Sequence, residues 1–121
     1  MAKNKKIKYV PSRVRGSKER KISAVTDEAI VFSDGSKITF DHNQDCCEDN
    51  YADFKQLDNI AQGYTFIGKM VFKPHDSGFL FGDSRRKFFV PCYSSQNGYY
   101  TSDLSIYYNG VCQLNIDCEI I

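Results

Sequence analysis

The densest group of reactive side chains in the chain lies between Asp41 and Glu48. This segment contains the adjacent thiols of Cys46 and Cys47, the imidazole of His42 and several carboxylates. A zinc ion prefers four ligands in a tetrahedron, usually from two separated pairs, and two adjacent cysteines make a poor chelate. We therefore expect neither a bound metal nor another cofactor at this segment.

Nucleophilic catalysis is the second chemistry that these residue types allow. Cys46 or Cys47 would be the nucleophile and His42 its base. Asp45 or Glu48 would orient the imidazole, and a nearby imidazolium or helix N-terminus would lower the pKa of the thiol. The chain has no oxyanion-hole motif and no Gly-rich phosphate loop. A thiol-dependent enzyme is therefore the alternative hypothesis.

A structural role for the segment is the interpretation that we favour. Free cysteines are among the most buried residue types, and short polar side chains satisfy backbone groups where a strand ends. A rigid polar turn of this kind can also form the floor of a binding site. The chain has five cysteines, two of them adjacent, which is not the pattern of a disulfide scaffold. We expect all five thiols to be reduced.

A second polar stretch, Asn97-Gly98-Tyr99-Tyr100, complements the first. Asn-Gly is a strong turn signal, and the two tyrosines would point to opposite sides of the strand that follows. A tyrosine pair beside a polar turn could also stack on a planar ligand or anchor a protein partner. The two stretches together supply the candidate binding residues His42, Gln44, Asp45, Glu48, Asn97, Tyr99 and Tyr100.

The rest of the chain predicts an α+β fold with a mainly antiparallel, curved sheet built from hairpins. Apolar residues recur at three-residue steps from Tyr51 through Phe54 and Leu57, which predicts one amphipathic helix over Asp49–Gln62. Asp49 or Asn50 would cap this helix. The remaining β-rich runs are short and separated by Gly, Pro, Asn and Asp, so we expect Pro91–Gly98 to be a loop.

Two hairpins have registers that can be predicted from their turns. Asp34-Gly35 as a two-residue loop places Val31 opposite Ile38 and Ala29 opposite Phe40. At the last hairpin, a three-residue loop over 108–110 keeps apolar residues opposite one another, with Ile106 facing Cys112 and Leu104 facing Leu114. That register needs Gly110 in the left-handed conformation of a bulge.

Charge divides the chain into a basic arm and an acidic body. Residues 1–21 contain nine of the sixteen Lys and Arg but one of the fifteen acids, Glu19. We expect residues 1–20 to form a basic arm or edge strand and residues 21–121 to form a single domain. The arm is either a solvated terminus or a contact for nucleic-acid phosphates, which is our second alternative function. Its phosphate-binding candidates are Lys5, Lys6, Lys8, Arg13 and Arg15.

The two polar stretches together resemble a known family. The pattern His42-x-Gln44-Asp45-Cys46-Cys47-Glu48 after Asp34-Gly35-Ser36, followed by Asn97-Gly98-Tyr99-Tyr100, is similar to the hallmarks of a family of small phage and bacterial proteins, a domain of unknown function. The resemblance implies a phage or mobile-element setting and assigns no chemistry.

These observations favour a small non-enzymatic binding protein of phage or mobile-element origin. Its partner would be a bacterial host protein or a small nucleotide-like ligand, and its binding would counter a host defence. The chain has no apolar run long enough to span a membrane and no signal peptide, so we expect no membrane partner and a cytoplasmic location. Homo-oligomerisation stays open at this stage.

Overall fold

The structure is a computed structural model that describes residues 18–42, 47–98 and 100–121. Within these ranges the chain forms mostly antiparallel β-sheets with one short α-helix and one 3-10 turn. No helix in the described ranges has the length and apolar character that a membrane crossing requires. Five basic residues of the predicted arm lie outside the described residues: Lys5, Lys6, Lys8, Arg13 and Arg15.

Twelve short strands account for most of the described chain. In chain order they are β1 (Glu19–Arg20), β2 (Ile22–Val25), β3 (Ala29–Phe32), β4 (Lys37–Asp41), β5 (Asp49–Ala52), β6 (Phe66–Ile67), β7 (Val71–His75), β8 (Gly78–Gly82), β9 (Lys87–Ser95), β10 (Asp103–Tyr108), β11 (Val111–Asp117) and β12 (Glu119–Ile120). The 3-10 turn (Phe54–Gln56) and helix α1 (Asn59–Gly63) lie between β5 and β6.

These strands form two five-stranded sheets and one small pair. The first sheet has the order β11-β10-β4-β3-β2 and is antiparallel throughout. The second sheet contains β12, β9, β8 and β7 in that order, and β5 also pairs with β9. Among the described strands, only β12 runs parallel to its partner, and β1 pairs with β6 apart from the larger sheets.

Aromatic side chains join the two larger sheets in one core. Phe32 of the first sheet and Phe81 of the second meet edge to face with ring centroids 6.3 Å apart. Phe66 contacts both rings from β6, and all three side chains are almost fully buried. Burying a side chain of this size contributes about 1.5–3 kcal/mol to stability. One apolar cluster therefore joins the two sheets.

The helix predicted over Asp49–Gln62 is wrong in extent and position. Asp49–Ala52 is strand β5, and the helix is limited to Asn59–Gly63, where Asp58 accepts a hydrogen bond from the Ile60 N–H. Phe54, Leu57 and Ala61 are buried, as predicted, but they lie in the 3-10 turn, in the link after it and in α1 and not in one continuous helix. Pairing with β9 outweighed the local helical pattern.

The predicted register of the hairpin at Asp34-Gly35 is also wrong. Ile30 lies opposite Ile38, and the Phe32 N–H donates to the Ser36 carbonyl across a three-residue loop. Gly35 takes the positive φ that closes such a loop. This register turns the side chains of Ile30 and Ile38, both 0% exposed, into the core together.

The predicted loop of the last hairpin is one residue too long, whereas the predicted loop at Asp34-Gly35 is one residue too short. Tyr108 lies opposite Val111, so the loop has two residues, Asn109 and Gly110, and both have positive φ. The left-handed conformation predicted for Gly110 is thus confirmed, but the three-residue register is wrong. A shift between Ile106 and Tyr107 then places Ile106 opposite Leu114. This bulge restores the apolar pairing that the turn alone would not give.

Strand β9 continues to Ser95, although the sequence predicts a loop from Pro91 onward. The Cys92 N–H donates to the Ser77 carbonyl, while Pro91 contributes only its carbonyl, which accepts from the Asp53 N–H. Proline can therefore sit within the strand because no ladder bond needs its missing N–H. The long strand carries the residues that form the sites described next.

Candidate functional site

Strands β5 and β9 bring the two polar stretches together. β5 begins directly after Glu48, and its pairing places Asn50 opposite Ser94. β9 ends at Ser95, just before the turn that contains Asn97. We name the resulting group the polar junction and define it by His42, Glu48, Asn50, Ser94 and Gln96.

Asn50 is the centre of the polar junction. Its side chain is buried, and its amide nitrogen donates to the carbonyl oxygens of Thr101, at 3.1 Å, and Asp103, at 2.9 Å. Its amide oxygen accepts a hydrogen bond from the Ser94 hydroxyl. One side chain on β5 therefore fixes the backbone that enters β10.

Gln96 extends this network into the turn. Its amide nitrogen donates to the Ser94 hydroxyl, at 2.6 Å, and to the Thr101 carbonyl, at 3.0 Å. Its amide oxygen accepts from the Tyr100 N–H at 2.8 Å. Gly98 has a φ of +94°, which allows the chain to turn back over this side chain. The loop between β9 and β10 is thus built around one glutamine.

His42 and Glu48 close the junction on its other side. The His42 Nε2 atom lies 3.8 Å from a Glu48 carboxylate oxygen, and Nδ1 lies 3.7 Å from Asp103 Oδ1. The two side chains are 6% and 0% exposed. Asn50 Nδ2 is 3.3 Å from both ring nitrogens. The imidazole is therefore held between two carboxylates and an amide inside the protein.

The side chains of the polar junction stabilise the surrounding loops, and few of their polar atoms are accessible to a substrate or ligand. The amide groups of Asn50 and Gln96 are used in bonds to the protein itself, and the imidazole is almost completely enclosed. Within the described ranges, no three His, Cys, Asp or Glu side chains form a group that could hold a metal ion.

The cysteines differ from the expectation of five reduced thiols. Cys47 is exposed and disulfide-bonded, so that expectation is wrong and Cys47 has no thiolate ready to attack a substrate. Cys92, Cys112 and Cys118 are free. A hydrogen bond with Cys118, together with burial, raises the pKa of the Cys92 thiol and makes it a poor nucleophile.

The other predicted site residues fall into two groups. Asn97 is exposed on its turn, and Tyr100 is half-buried with its N–H bonded to Gln96. Gln44, Asp45, Cys46 and Tyr99 lie outside the described residues.

A pocket of about 470 Å³ lies on the outward face of β9. Its floor consists of Phe89, Pro91 and Tyr93, which alternate with the buried residues of the strand and are themselves half-exposed. The rim contains His75, Asp76 and Ser77 from the turn between β7 and β8, together with Gln56 and Glu119. The pocket is thus open, apolar at its base and polar at its edge.

A second pocket, of about 350 Å³, adjoins the first. Tyr51 lines it and lies directly opposite Tyr93 of the first pocket, with ring centroids 5.9 Å apart. The Gln56 amide nitrogen donates both to Asp53 of the second pocket, at 2.8 Å, and to the Tyr93 hydroxyl, at 3.1 Å. We treat the two pockets as one surface, the aromatic groove. Its ring-bearing residues are Phe40, Tyr51, Phe54, Phe89, Pro91 and Tyr93.

Carboxylates surround the aromatic groove. Among the residues that the structure describes, those lining the two pockets include no Lys or Arg but six acids: Asp27, Glu28, Asp49, Asp53, Asp76 and Glu119. Burial raises the pKa of the Tyr51 hydroxyl, and the charges of Asp53 and Asp49 raise it further. The rim therefore produces a negative potential over an aromatic base.

Sequence reasoning missed this surface because it assigned Asp49–Gln62 to a helix. The signal that could have found it is the alternation in β5, where Asn50 and Ala52 are buried while Asp49 and Tyr51 face outward. The same alternation runs through β9, from Phe88 to Ser94. Once both strands are known, their outward residues fall on one face.

The resemblance to the phage and bacterial family depends mainly on residues 42–48, which follow Asp34-Gly35-Ser36, and on residues 97–100. Part of each stretch lies outside the described residues. Comparison with known proteins finds no matching family model, no matching curated protein and no matching solved structure, so the resemblance stays a prediction.

Proposed function

We propose that this protein is a small non-enzymatic binding protein and that the aromatic groove receives a protein partner. The observation that carries the proposal is the pair of pockets over β5 and β9, joined by the contact of Tyr51 with Tyr93, with half-exposed rings at their base and carboxylates at their rim. Half-exposed aromatic residues with a polar rim are typical of protein interfaces.

The charge of the groove favours a protein over the nucleotide-like ligand that the sequence also allowed. Phosphate groups need cationic or N–H donors, whereas six carboxylates line these pockets. Lys55, which contacts the lining residue Asp27 at 3.3 Å, is itself paired with that carboxylate. A phosphate placed here would be repelled, so a protein segment fits the site better.

The polar junction complements this function as a support. It packs behind β5, where Asn50 points inward, while Asp49 and Tyr51 of the same strand face the groove. A rigid strand presents its outward residues in a fixed arrangement, which lowers the entropy cost of binding. The partner would be a bacterial protein, and binding would counter a host defence, in the phage setting that the resemblance implies.

Site-specific photo-crosslinking tests this proposal. A benzophenone amino acid at Phe89 or Tyr93 should give the same cross-linked product in bacterial cells, because both side chains line one pocket. The same amino acid at Gln113, an exposed residue of β11 in the first sheet, is the matched control. Products of equal yield from all three positions would contradict a partner that binds in the groove.

A further inference from the structure

The rim of the aromatic groove carries charge that the protein itself leaves largely exposed. The carboxylates of Asp27 and Asp76 are 82% and 85% exposed, and their pairs with Lys55 and His75 lie at the surface. Exposed pairs of this kind hold their partners weakly. These carboxylates can therefore exchange their present contacts for cations of a bound molecule.

The base of the groove suits cations as well. Phe89, Tyr51 and Tyr93 are half-exposed, and a guanidinium or ammonium group is attracted to the face of such a ring. Arginine satisfies both features at once, because its planar group stacks on rings and donates two parallel hydrogen bonds to a carboxylate. The aromatic base and the acidic rim thus point to the same class of side chain.

The shape of the groove favours an extended segment. Phe89 and Tyr93 are four residues apart on one strand, which corresponds to about 13 Å at the rise of a β-strand. The second pocket continues the surface past Tyr51. The whole groove therefore has room for roughly six to eight residues of extended chain.

The geometry points to an extended, arginine- and lysine-rich segment of the partner protein as the occupant of the aromatic groove. This inference depends on the proposed function, since it names the chemistry of the partner at that same site. Charge complementarity supports it: both pockets have carboxylates in their lining, and His75 is the only basic side chain among the lining residues that the structure describes.

Binding of a labelled nona-arginine peptide to the full chain tests the inference by fluorescence anisotropy. We expect binding that weakens with added salt, because exposed charges are screened within about 10 Å at 0.1 M ionic strength. A triple variant with Asp49→Asn, Asp53→Asn and Glu119→Gln should weaken binding at least tenfold. Phe89→Leu, which retains apolar volume but removes the ring, should weaken it about threefold to tenfold.

The matched control removes the same charge elsewhere. Glu19→Gln, Asp41→Asn and Asp117→Asn together neutralise three exposed acids that line neither pocket. This control should change the affinity less than twofold. Equal weakening by the two triple variants would overturn the inference, because the peptide would then respond to net charge alone.

Two further outcomes would also overturn it. If the full chain binds the peptide only after Lys5, Lys6 and Lys8 are replaced by Gln, the occupant is the basic arm of this chain and not a partner. If the peptide does not bind at all but Phe89 and Tyr93 still cross-link to one protein in cells, the binding function stands and the basic segment is wrong. Loss of the groove-specific cross-link would instead contradict the proposed function.

Discussion

The polar junction and the aromatic groove use opposite faces of the same strand, β5. Asn50 faces inward, where its amide bonds to Thr101, Asp103 and Ser94. Asp49, one residue earlier, faces outward into the groove. From the sequence alone, a structural role was favoured for the inward group, but some of the candidate binding residues fell in it and none fell on the outward face of β5. In the structure, the side chains of the inward group are buried and hydrogen-bonded to the protein itself. The outward side chains are accessible to a partner.

The two faces differ in the free energy that is lost when a polar side chain is removed. A buried donor or acceptor that loses its partner costs about 1–3 kcal/mol, whereas an exposed carboxylate is solvated and costs almost nothing to change. Reactive residue types therefore do not by themselves identify a site. Stability and binding measurements on the two faces should separate their roles.

The largest effect is expected from Asn50→Ala. The substitution removes the donors to two backbone carbonyls and the acceptor of the Ser94 hydroxyl, so we expect a loss of about 2–4 kcal/mol in the free energy of unfolding. Urea denaturation followed by circular dichroism would measure it. Asp49→Ala, on the outward face of the same strand, should change stability by less than about 0.5 kcal/mol. Similar losses for both variants would show that the two faces do not differ.

Asp83 is a second buried polar group that sharpens the comparison. Its carboxylate is 1% exposed and accepts hydrogen bonds from the Tyr64 hydroxyl and from the N–H groups of Ile67, Arg85 and Arg86. Burial alone raises the pKa of Asp83, but the hydrogen bonds from these backbone groups outweigh it and hold the pKa well below its usual range. The carboxylate therefore stabilises the fold in its charged form.

We expect Asp83→Asn to lower stability by about 2–3 kcal/mol at pH 7, and we expect this loss to depend on pH. A group whose pKa is lowered by folding contributes fully above its unfolded pKa of about 3.9 and loses that contribution as the pH falls below it. The difference between the parent protein and the variant should therefore narrow between about pH 5 and pH 2. A constant difference in urea titrations over this range would show that Asp83 is not charged in the fold. Glu119→Gln, at the exposed rim, is the control.

The smallest effect on stability is expected in the groove. Tyr93→Leu removes the ring contact with Tyr51 and the hydroxyl that accepts from Gln56, which together are worth about 0.5–1 kcal/mol. Thermal denaturation should therefore change little even where groove-dependent cross-linking is lost. A loss as large as that of Asn50→Ala would mean that the ring holds the fold and does not mainly serve a partner.

The two hairpins show how far local sequence determines register. Asp-Gly and Asn-Gly both predict turns at the positions where turns occur, and Gly35 and Gly110 both have positive φ. Loop length was wrong at each, because it depends on which residues reach the core. Asp34 is held by Ser36 and by Arg20 of β1, and these contacts lower its pKa to about 2 although burial opposes them. No local pattern contains the contact with Arg20.

The error over Asp49–Gln62 has the same origin. Apolar residues three apart are compatible with a helix, but Asn50 and Ala52 also alternate with Asp49 and Tyr51 as in a strand. The hydrogen bonds that β9 offers decide between these patterns, and β9 lies about forty residues away in the chain. Because outward residues of β5 line the aromatic groove, the sequence did not predict the groove either.

The sequence by itself determined the predominance of antiparallel strands, the turns at Asp34-Gly35 and Asn109-Gly110, and the division of charge between a basic N-terminal stretch and an acidic remainder. These properties depend on the conformational preferences of single residues and on short-range alternation, which act locally. Only the tertiary structure decided the strand registers, the burial of His42 and Glu48 and the joining of Tyr51 and Tyr93 in one groove. Those features depend on which distant strands pair, because side-chain burial and cross-strand contacts are fixed only when both strands are in place.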